Sequence, residues 1–265
     1  MAYANTLKRR EMKFLLNEDQ YRLMKEEIPR YMTEDMYGLH TIMNIYLDNI
    51  NDDLIRNSIE KSAYREKLRL RAYGKTAEDD AAAFLEIKKK FGGVTYKRRL
   101  EGSYKELFGY VSDGTAPDIS DTADFEHKQV FREIDYLVKW RSLIPKVVIC
   151  YDREAFFGNE DNEFRLTFDG NIRFRRSDVD LRSGDSGEKI RSAPYRIMEV
   201  KSAGSVPMWL VKILSENRIY QNSFSKYAAI YLQGQREKAE ALNIQKAVCD
   251  QKKELFLSEK KLDIV

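Results

Sequence analysis

Taken two residues at a time, the segment Arg65–Arg71 (R-E-K-L-R-L-R) puts Arg65, Lys67, Arg69 and Arg71 in one row. Leu68, Leu70 and Ala72 fall on the other side, because side chains along a strand alternate faces. A half-buried strand ordinarily turns its apolar face to the core and scatters mixed charges outside. Here one whole face is cationic. Neighbours in such a row stand about 7 Å apart and repel by roughly 2 kcal/mol per pair at an effective dielectric of about 20.

The pattern recurs. In Phe84–Phe91, Glu86, Lys88 and Lys90 oppose Leu85, Ile87 and Phe91. Val94–Leu100 gathers Thr95, Lys97 and Arg99, and Ile149–Phe157 aligns Ile149, Tyr151 and Arg153. Phe164–Asp169 sets Arg165, Thr167 and Asp169 against Phe164, Leu166 and Phe168. Tyr195–Lys201 sets Glu199 and Lys201 against Met198 and Val200. Near the start, Glu11 and Lys13 oppose Met12, Phe14 and Leu16; in Thr41–Asp48, Asn44, Tyr46 and Asp48 oppose Met43, Ile45 and Leu47. So many strands with one ionic and one apolar face predict a closed sheet around a polar lumen, its outside covered by helices. Closure also removes exposed edges. Converging cations are costly unless a polyanion occupies the lumen.

Helical spacing predicts the covering elements. Asn17–Met32 is a first helix with Asn17 as N-cap, and Asp52–Ser62 a short second one. Asp121–Leu143 carries Phe125, Val130, Phe131, Ile134, Leu137 and Val138 on one stripe suited to a barrel wall, and Pro145 ends it. Val206–Arg218 and Phe224–Leu232 are two more, and the Lys/Glu-rich residues from Arg236 form a charged helical extension. Gly74–Asp80, Gly114–Pro117 and Ser177–Ser192 read as loops, and Gly92-Gly93 as a hairpin turn. No repeat or second domain boundary appears. The expected division is a tunnel domain over 1–235 with 236–265 as an extension of it.

At 265 residues the chain can bury one large core. Charged residues make up 34% yet the formal net charge is only +3, so bulk charge does not advertise a nucleic-acid partner and placement carries the information. Hydrophobic content of 43% with 12% aromatics excludes disorder. No run approaches the ~18 apolar residues of a membrane span, and the first residues lack a signal-peptide stretch. A cytoplasmic location without direct membrane insertion is the expectation. Cys150 and Cys249 form neither metal spacing nor a disulfide framework. With only His40 and His127, histidine chemistry is not the engine.

The ordered segments R-R-E-M-K-F, I-Y-L-D, K-L-R-L-R-A-Y, F-L-E-I-K-K-K, V-T-Y-K-R-R, Y-D-R-E-A-F, F-R-L-T-F-D, M-E-V-K and F-S-K-Y resemble the polyphosphate-polymerase domain of the vacuolar transporter chaperone (VTC) family. That family is a branch of the triphosphate tunnel metalloenzymes, which also include adenylate cyclase and thiamine-triphosphatase relatives. The resemblance runs from about Arg9 to Tyr231. It implies an α+β fold: an antiparallel eight-stranded tunnel, cationic inside and surrounded by helices. It also implies a nucleotide-dependent polymerase that moves the γ-phosphoryl group of ATP onto a growing polyphosphate chain with Mn²⁺ or Mg²⁺. Partners would be ATP or another nucleoside triphosphate and inorganic polyphosphate, with no nucleic acid; protein partners stay open.

Carried over by resemblance, Arg69 and Arg71 grip the triphosphate with Lys67 beside them, and Lys88 and Lys97 are tunnel lysines. Tyr151 with Arg153 matches a Y-x-R element, and Arg165 a further phosphate-binding arginine. Glu199 resembles a metal-ligand glutamate with Lys201 beside it; Glu11 is a candidate second ligand, and Glu86 either a further ligand or a cross-strand partner of Arg69 or Lys97. Lys13 resembles the first-strand lysine, and Ser225 with Lys226 the pair opening the final helix. Lys13, Arg69, Arg71, Glu199 and Lys226 make up the implied catalytic set. Phosphoryl transfer needs positioning and charge neutralisation, which guanidinium forks and a hard cation supply. Two departures matter. Arg9 stands where the wider superfamily has the first carboxylate of E-x-E-x-K, and Ser223 where the eukaryotic polymerase has a basic residue. The alternatives are a tunnel triphosphatase or a non-catalytic polyphosphate-binding module.

Overall fold

The computed structural model describes residues 10–92, 94–115, 117 and 125–262. Arg9 and Gly93 therefore lie outside the described residues, as does the start of the helix expected over 121–143. In chain order the elements are β1 (Arg10–Leu16), α1 (Glu18–Glu27), β2 (Met32–Glu34), β3 (His40–Asp48), α2 (Asp53–Ile59) and β4 (Tyr64–Tyr73). There follow β5 (Ala82–Phe91), β6 (Val94–Ser103), α3 (Tyr104–Asp113), α4 (Phe125–Arg141), β7 (Ile144–Gly158) and β8 (Arg165–Arg175). The chain closes with β9 (Glu188–Lys189), β10 (Arg196–Ser202), α5 (Met208–Glu216), β11 (Gln221–Asn222) and α6 (Lys226–Leu262).

All strand pairings are antiparallel, in the order β11-β1-β10-β8-β7-β3-β4-β5-β6, with β2 on β7 and β9 on β8. The expected eight-stranded closed barrel is thus corrected in two respects. Among the described residues the sheet has 11 strands, the additions being the short β2, β9 and β11. Among the described residues no backbone ladder joins β6 to β1 or β11. The edges meet instead through side chains: Glu11 of β1 lies 3.8 Å from the Lys88 ammonium of β5 and 3.7 Å from that of Lys97 on β6.

Alternation assigns the faces. Leu68, Leu70, Leu85, Ile87, Val148 and Cys150 point outward into a core closed by α3 and α4. Phe14, Leu166, Phe168, Met198 and Val200 form a second outer core with α1 and α5. The inner face is less uniform than the ionic rows imply. Ile42, Ile149, Ile172 and Ile197 line part of it and pack against Ile55 of α2 and Tyr227 and Ile230 of α6. The first turns of α6 therefore plug one side of the lumen, anchored where the Tyr227 hydroxyl donates to Asp48 at 3.2 Å. Asp48 also accepts from the N–H groups of Leu54 and Ile55, both at 2.9 Å, so one buried carboxylate fixes α2 and α6 together.

Local departures have local causes. Asn17 caps α1 through a reciprocal box with Gln20, but Pro29 sits in a 3₁₀ turn and the chain passes into β2 at Met32, where continued helix was expected. Helix α3 has no counterpart in the expectations, although Ser103 and Glu106 form its capping box. Pro145 lies inside β7 opposite Leu47; a register shift at Tyr46/Leu47 accommodates its missing N–H. The two helices expected around 233–236 are one, α6. Gly234 survives within it because the Arg176 guanidinium fills the place of a Cβ, 2.6 Å away, and donates to the Ile230 carbonyl at 2.9 Å.

Candidate active site

The lumen rows converge in three linked groups. On β3 and β4, Arg69 donates to Glu86 of β5 through Nε at 2.7 Å and reaches the Tyr46 hydroxyl at 3.2 Å. Arg71 donates to the side-chain amide oxygen of Asn44 at 3.0 Å and to the Tyr151 hydroxyl at 3.3 Å. The strand register dictates these meetings: Arg69 faces both Tyr46 and Glu86, and Arg71 faces Asn44.

The second group centres on Asp169, which is fully buried. Arg153 donates to it in fork geometry at 2.6 and 2.7 Å, and the Lys226 ammonium donates at 2.6 Å. The Tyr151 ring lies 4.1 Å from Lys226 and 5.3 Å from Arg153, so cations flank its face.

In the third group, Lys13 donates to the Phe224 carbonyl at 3.3 Å and pairs with Glu199 at 2.8 Å and Glu11 at 3.9 Å. Arg153, 3.9 Å from Glu199, joins this group to the second. Lys67 donates to Ser225 Oγ at 3.1 Å, and the same oxygen accepts from the Ala228 N–H as the N-cap of α6.

Cations outnumber carboxylates here, yet they are not the bare row that alternation alone suggests. Glu11, Glu86, Asp169 and Glu199 interleave with them. Burial by itself would raise the Glu199 carboxyl, but Lys226, Lys13 and Arg153 outweigh it and hold it well below its ordinary value. Asp169 is likewise held down by Arg153 and Lys226 against its burial. Burial pushes the Lys67 and Lys201 ammonium groups down to about 8. For Tyr46, burial opposes ionisation, but Arg69 and Lys67 bring the phenol down to about 8. Burial and the neighbouring Arg153 lower Arg165, whose Nε is buried with no hydrogen-bond partner among the described residues.

Every candidate residue thus stands on the inner face or at the start of α6. Contacts connect all of them except Arg165 and Lys201, which lie beside each other in register on β8 and β10. Asp169, Tyr46 and Asn44 complete the network without having been candidates; each shares a row with a candidate or with the lumen face of β3. Of the two roles expected for Glu86, it takes that of cross-strand partner to Arg69. Arg173 and Arg175 point elsewhere. Arg173 binds Asp152 and Asp185, and Arg175 binds the carbonyls of Asp178, Asp180, Gly184 and Ser186, so both shape the 177–192 loop.

Metal ligation is constrained by the same contacts. No group of three His, Cys, Asp or Glu side chains among the described residues converges on one point. Glu199 and Glu11 share the Lys13 ammonium, and the buried Thr167 hydroxyl, the register partner of Glu199, lacks a hydrogen-bond partner among the described residues. These hard oxygen donors fit a divalent cation that arrives with phosphate oxygens, not one caged by protein alone.

At one end the lumen opens into a cavity of about 760 Å³. Lys13, Lys61, Arg65, Lys90, Arg191 and Arg236 line it against the acids Glu11 and Glu240. No helix among the described residues is long and apolar enough to cross a membrane.

A family model described as the VTC domain matches residues 8–233. Vacuolar transporter chaperone complex subunit 2 of Schizosaccharomyces pombe is 23% identical over 273 aligned positions, covering 83% of this chain and 37% of that protein. Subunit 4 from the same organism is 26% identical over 195 positions, covering 60% of this chain and 26% of that protein. The chain therefore spans well under half the length of either relative. Among solved structures, a candidate adenylate cyclase from Bacillus halodurans is similar at 12% identity with a TM-score of 0.49, over 81% of this chain and 92% of that one.

Proposed function

The chain belongs to the VTC domain family, and on that premise we propose that it is a polyphosphate polymerase working inside the cationic lumen. It transfers the γ-phosphoryl group of a nucleoside triphosphate, ATP in the first instance, to the end of a polyphosphate chain. The observation that carries this reading is the placement of Arg69, Arg71, Lys88, Arg153, Lys226 and Lys13 around one passage that continues into the basic cavity. A hydrolase needs to hold one triphosphate; a polymerase must also hold a chain beyond it.

In the transfer, a terminal phosphate oxygen of the acceptor chain attacks the γ-phosphorus in line. A new P–O bond forms, the bond to the β-phosphate oxygen breaks, and ADP leaves. Charge is spread over the equatorial oxygens, so the protein's work is orientation and neutralisation. Arg69 and Arg71 are pre-aimed by Glu86 and Asn44. Arg153 and Lys226 are pre-aimed by Asp169, so little ordering remains when phosphate arrives. Glu199, with Glu11 second, would hold Mn²⁺ or Mg²⁺, which supplies neutralisation across the phosphate oxygens.

The test is incubation with ATP and Mn²⁺, with products separated as polymer, pyrophosphate and orthophosphate. Polymer with ADP is expected. Orthophosphate without polymer would move the assignment to a tunnel triphosphatase. Tight polyphosphate binding without turnover would leave a binding module.

A further inference from the structure

The two ends of the lumen differ in chemistry. The basic end is lined by ammonium and guanidinium groups, and Phe224 is the single ring on its wall among the described residues. The opposite end carries rings on the lumen rows themselves. Tyr73 follows Arg71 on the inward side of β4 and is 46% exposed. Phe84 is the register partner of Arg71 on β5, and its ring meets Tyr73 edge-on at 5.9 Å. The Arg99 guanidinium lies 4.7 Å from the Phe84 ring. His40, on the inward row of β3, stands 6.3 Å from Tyr73 and 6.0 Å from Tyr37, which is 71% exposed.

We propose that this aromatic mouth is a docking platform for the nucleobase of the triphosphate, with Tyr73 as the ring against which the base stacks. The inference rests on the polymerase reading and adds the end from which the nucleotide is held. Residues two apart on a strand are about 7 Å apart, which leaves room for a sugar between phosphates held by Arg71 and a base lying on Tyr73. Arg165, whose Nε has no hydrogen-bond partner among the described residues and whose guanidinium lies 5.0 Å from the Phe157 ring, stands on the inward row of β8 and is placed for the phosphate nearest the sugar. Stacking uses the π-face that every base has, so the platform is tolerant of base identity. The same rings have no use for inorganic phosphate. Base at the aromatic mouth directs the γ-phosphate toward Arg69, Lys67 and the basic cavity, so the chain grows away from the nucleoside.

The experiment compares dissociation constants for ATP and inorganic tripolyphosphate in the intact chain and in Tyr73→Ala and Tyr73→Trp. In Tyr73→Ala, ATP affinity should fall about tenfold, the scale of one lost base stack, while tripolyphosphate affinity holds. Tyr73→Trp keeps a π-face and should retain the wild-type ratio between the two ligands. Unchanged tripolyphosphate binding also reports that the variants are folded. If the ratio stays the same in Tyr73→Ala, the platform is overturned while the tunnel reading stands. If the wild-type chain binds neither ligand, the tunnel reading fails and takes the platform with it.

Discussion

Replacing Asp169 by Asn keeps the size of the side chain and removes the carboxylate to which Arg153 and Lys226 both hydrogen-bond. That carboxylate is fully buried and accepts three charged bonds between 2.6 and 2.7 Å. After the change, Arg153 retains Glu199 at 3.9 Å, and Lys226 is left against the Tyr151 ring. Removing one partner of a buried pair costs about 3–5 kcal/mol, because the other charge stays buried without compensation. For a chain of this size 1 kcal/mol shifts the melting temperature by about 2–4 °C, so the empty variant should melt roughly 6–20 °C lower. The assay is thermal unfolding at neutral pH with and without inorganic tripolyphosphate. The two released cations keep only the more distant Glu199 as an internal anion, so tripolyphosphate should bind the variant more tightly. Ligand binding to the folded state adds stability by mass action, so the ligand-induced rise should be larger in the variant than in the wild type. A variant as stable as wild type when empty would refute the reasoning, and so would a destabilised one with no larger rise. Either result would mean that Asp169 does not neutralise these cations.

Glu199→Gln should lower turnover by at least about a hundredfold, since charge neutralisation by a metal is worth several kcal/mol, while tripolyphosphate binding survives; wild-type turnover would place the metal on other carboxylates, Glu11 first. Between pH 7 and 9, tripolyphosphate affinity should fall as Lys67 loses its proton and Tyr46 gains charge, both near 8. The same two groups should add stability to the empty protein between about pH 8 and 10, because there the unfolded chain binds more protons at them than the folded one; titration calorimetry and denaturant melts read the two opposite trends. Glu11→Gln should cost at most about 1 kcal/mol of stability, because its pairs are long and partly exposed. In metal-free buffer it should bind tripolyphosphate more tightly at low salt, and chemical denaturation with a salt series checks both.

Strand alternation was sufficient to put Lys13, Arg69, Lys88, Arg153 and Glu199 on one face, since a period of two leaves no choice once the apolar face is buried. Register is a different matter. That Glu86 lies opposite Arg69, or that Lys226 reaches Asp169 across 57 residues, depends on which strands pair and with what offset, and no local pattern states it. Asp169 shares its row with Arg165, but alternation gives no reason to prefer it over other inward acids. Helix α3 was legible in its Ser103–Glu106 capping box. Pro145 and Gly234 both sit inside regular elements that they would ordinarily break, because a tertiary feature absorbs each, here a bulge and a guanidinium. The apolar plug under α6 was not anticipated, although Ile149 and Ile197 interrupt otherwise ionic rows.

The meeting of β1 with β5 and β6 has a mechanical consequence. Along that line the wall is held by Glu11 against Lys88 and Lys97, and those same two ammonium groups are what a polyanion inside would compete for. Filling the passage therefore loosens its side, and emptying it reseals the side. A hydrogen-bonded cylinder would release a long polymer only by reptation from an end. Here a side-chain seam would run beside a bound polymer, and its resistance to opening would fade with ionic strength over a screening length of about 8 Å. On the proposed reading, capacity for a growing chain would be set by charge competition at one seam, not by the length of the bore.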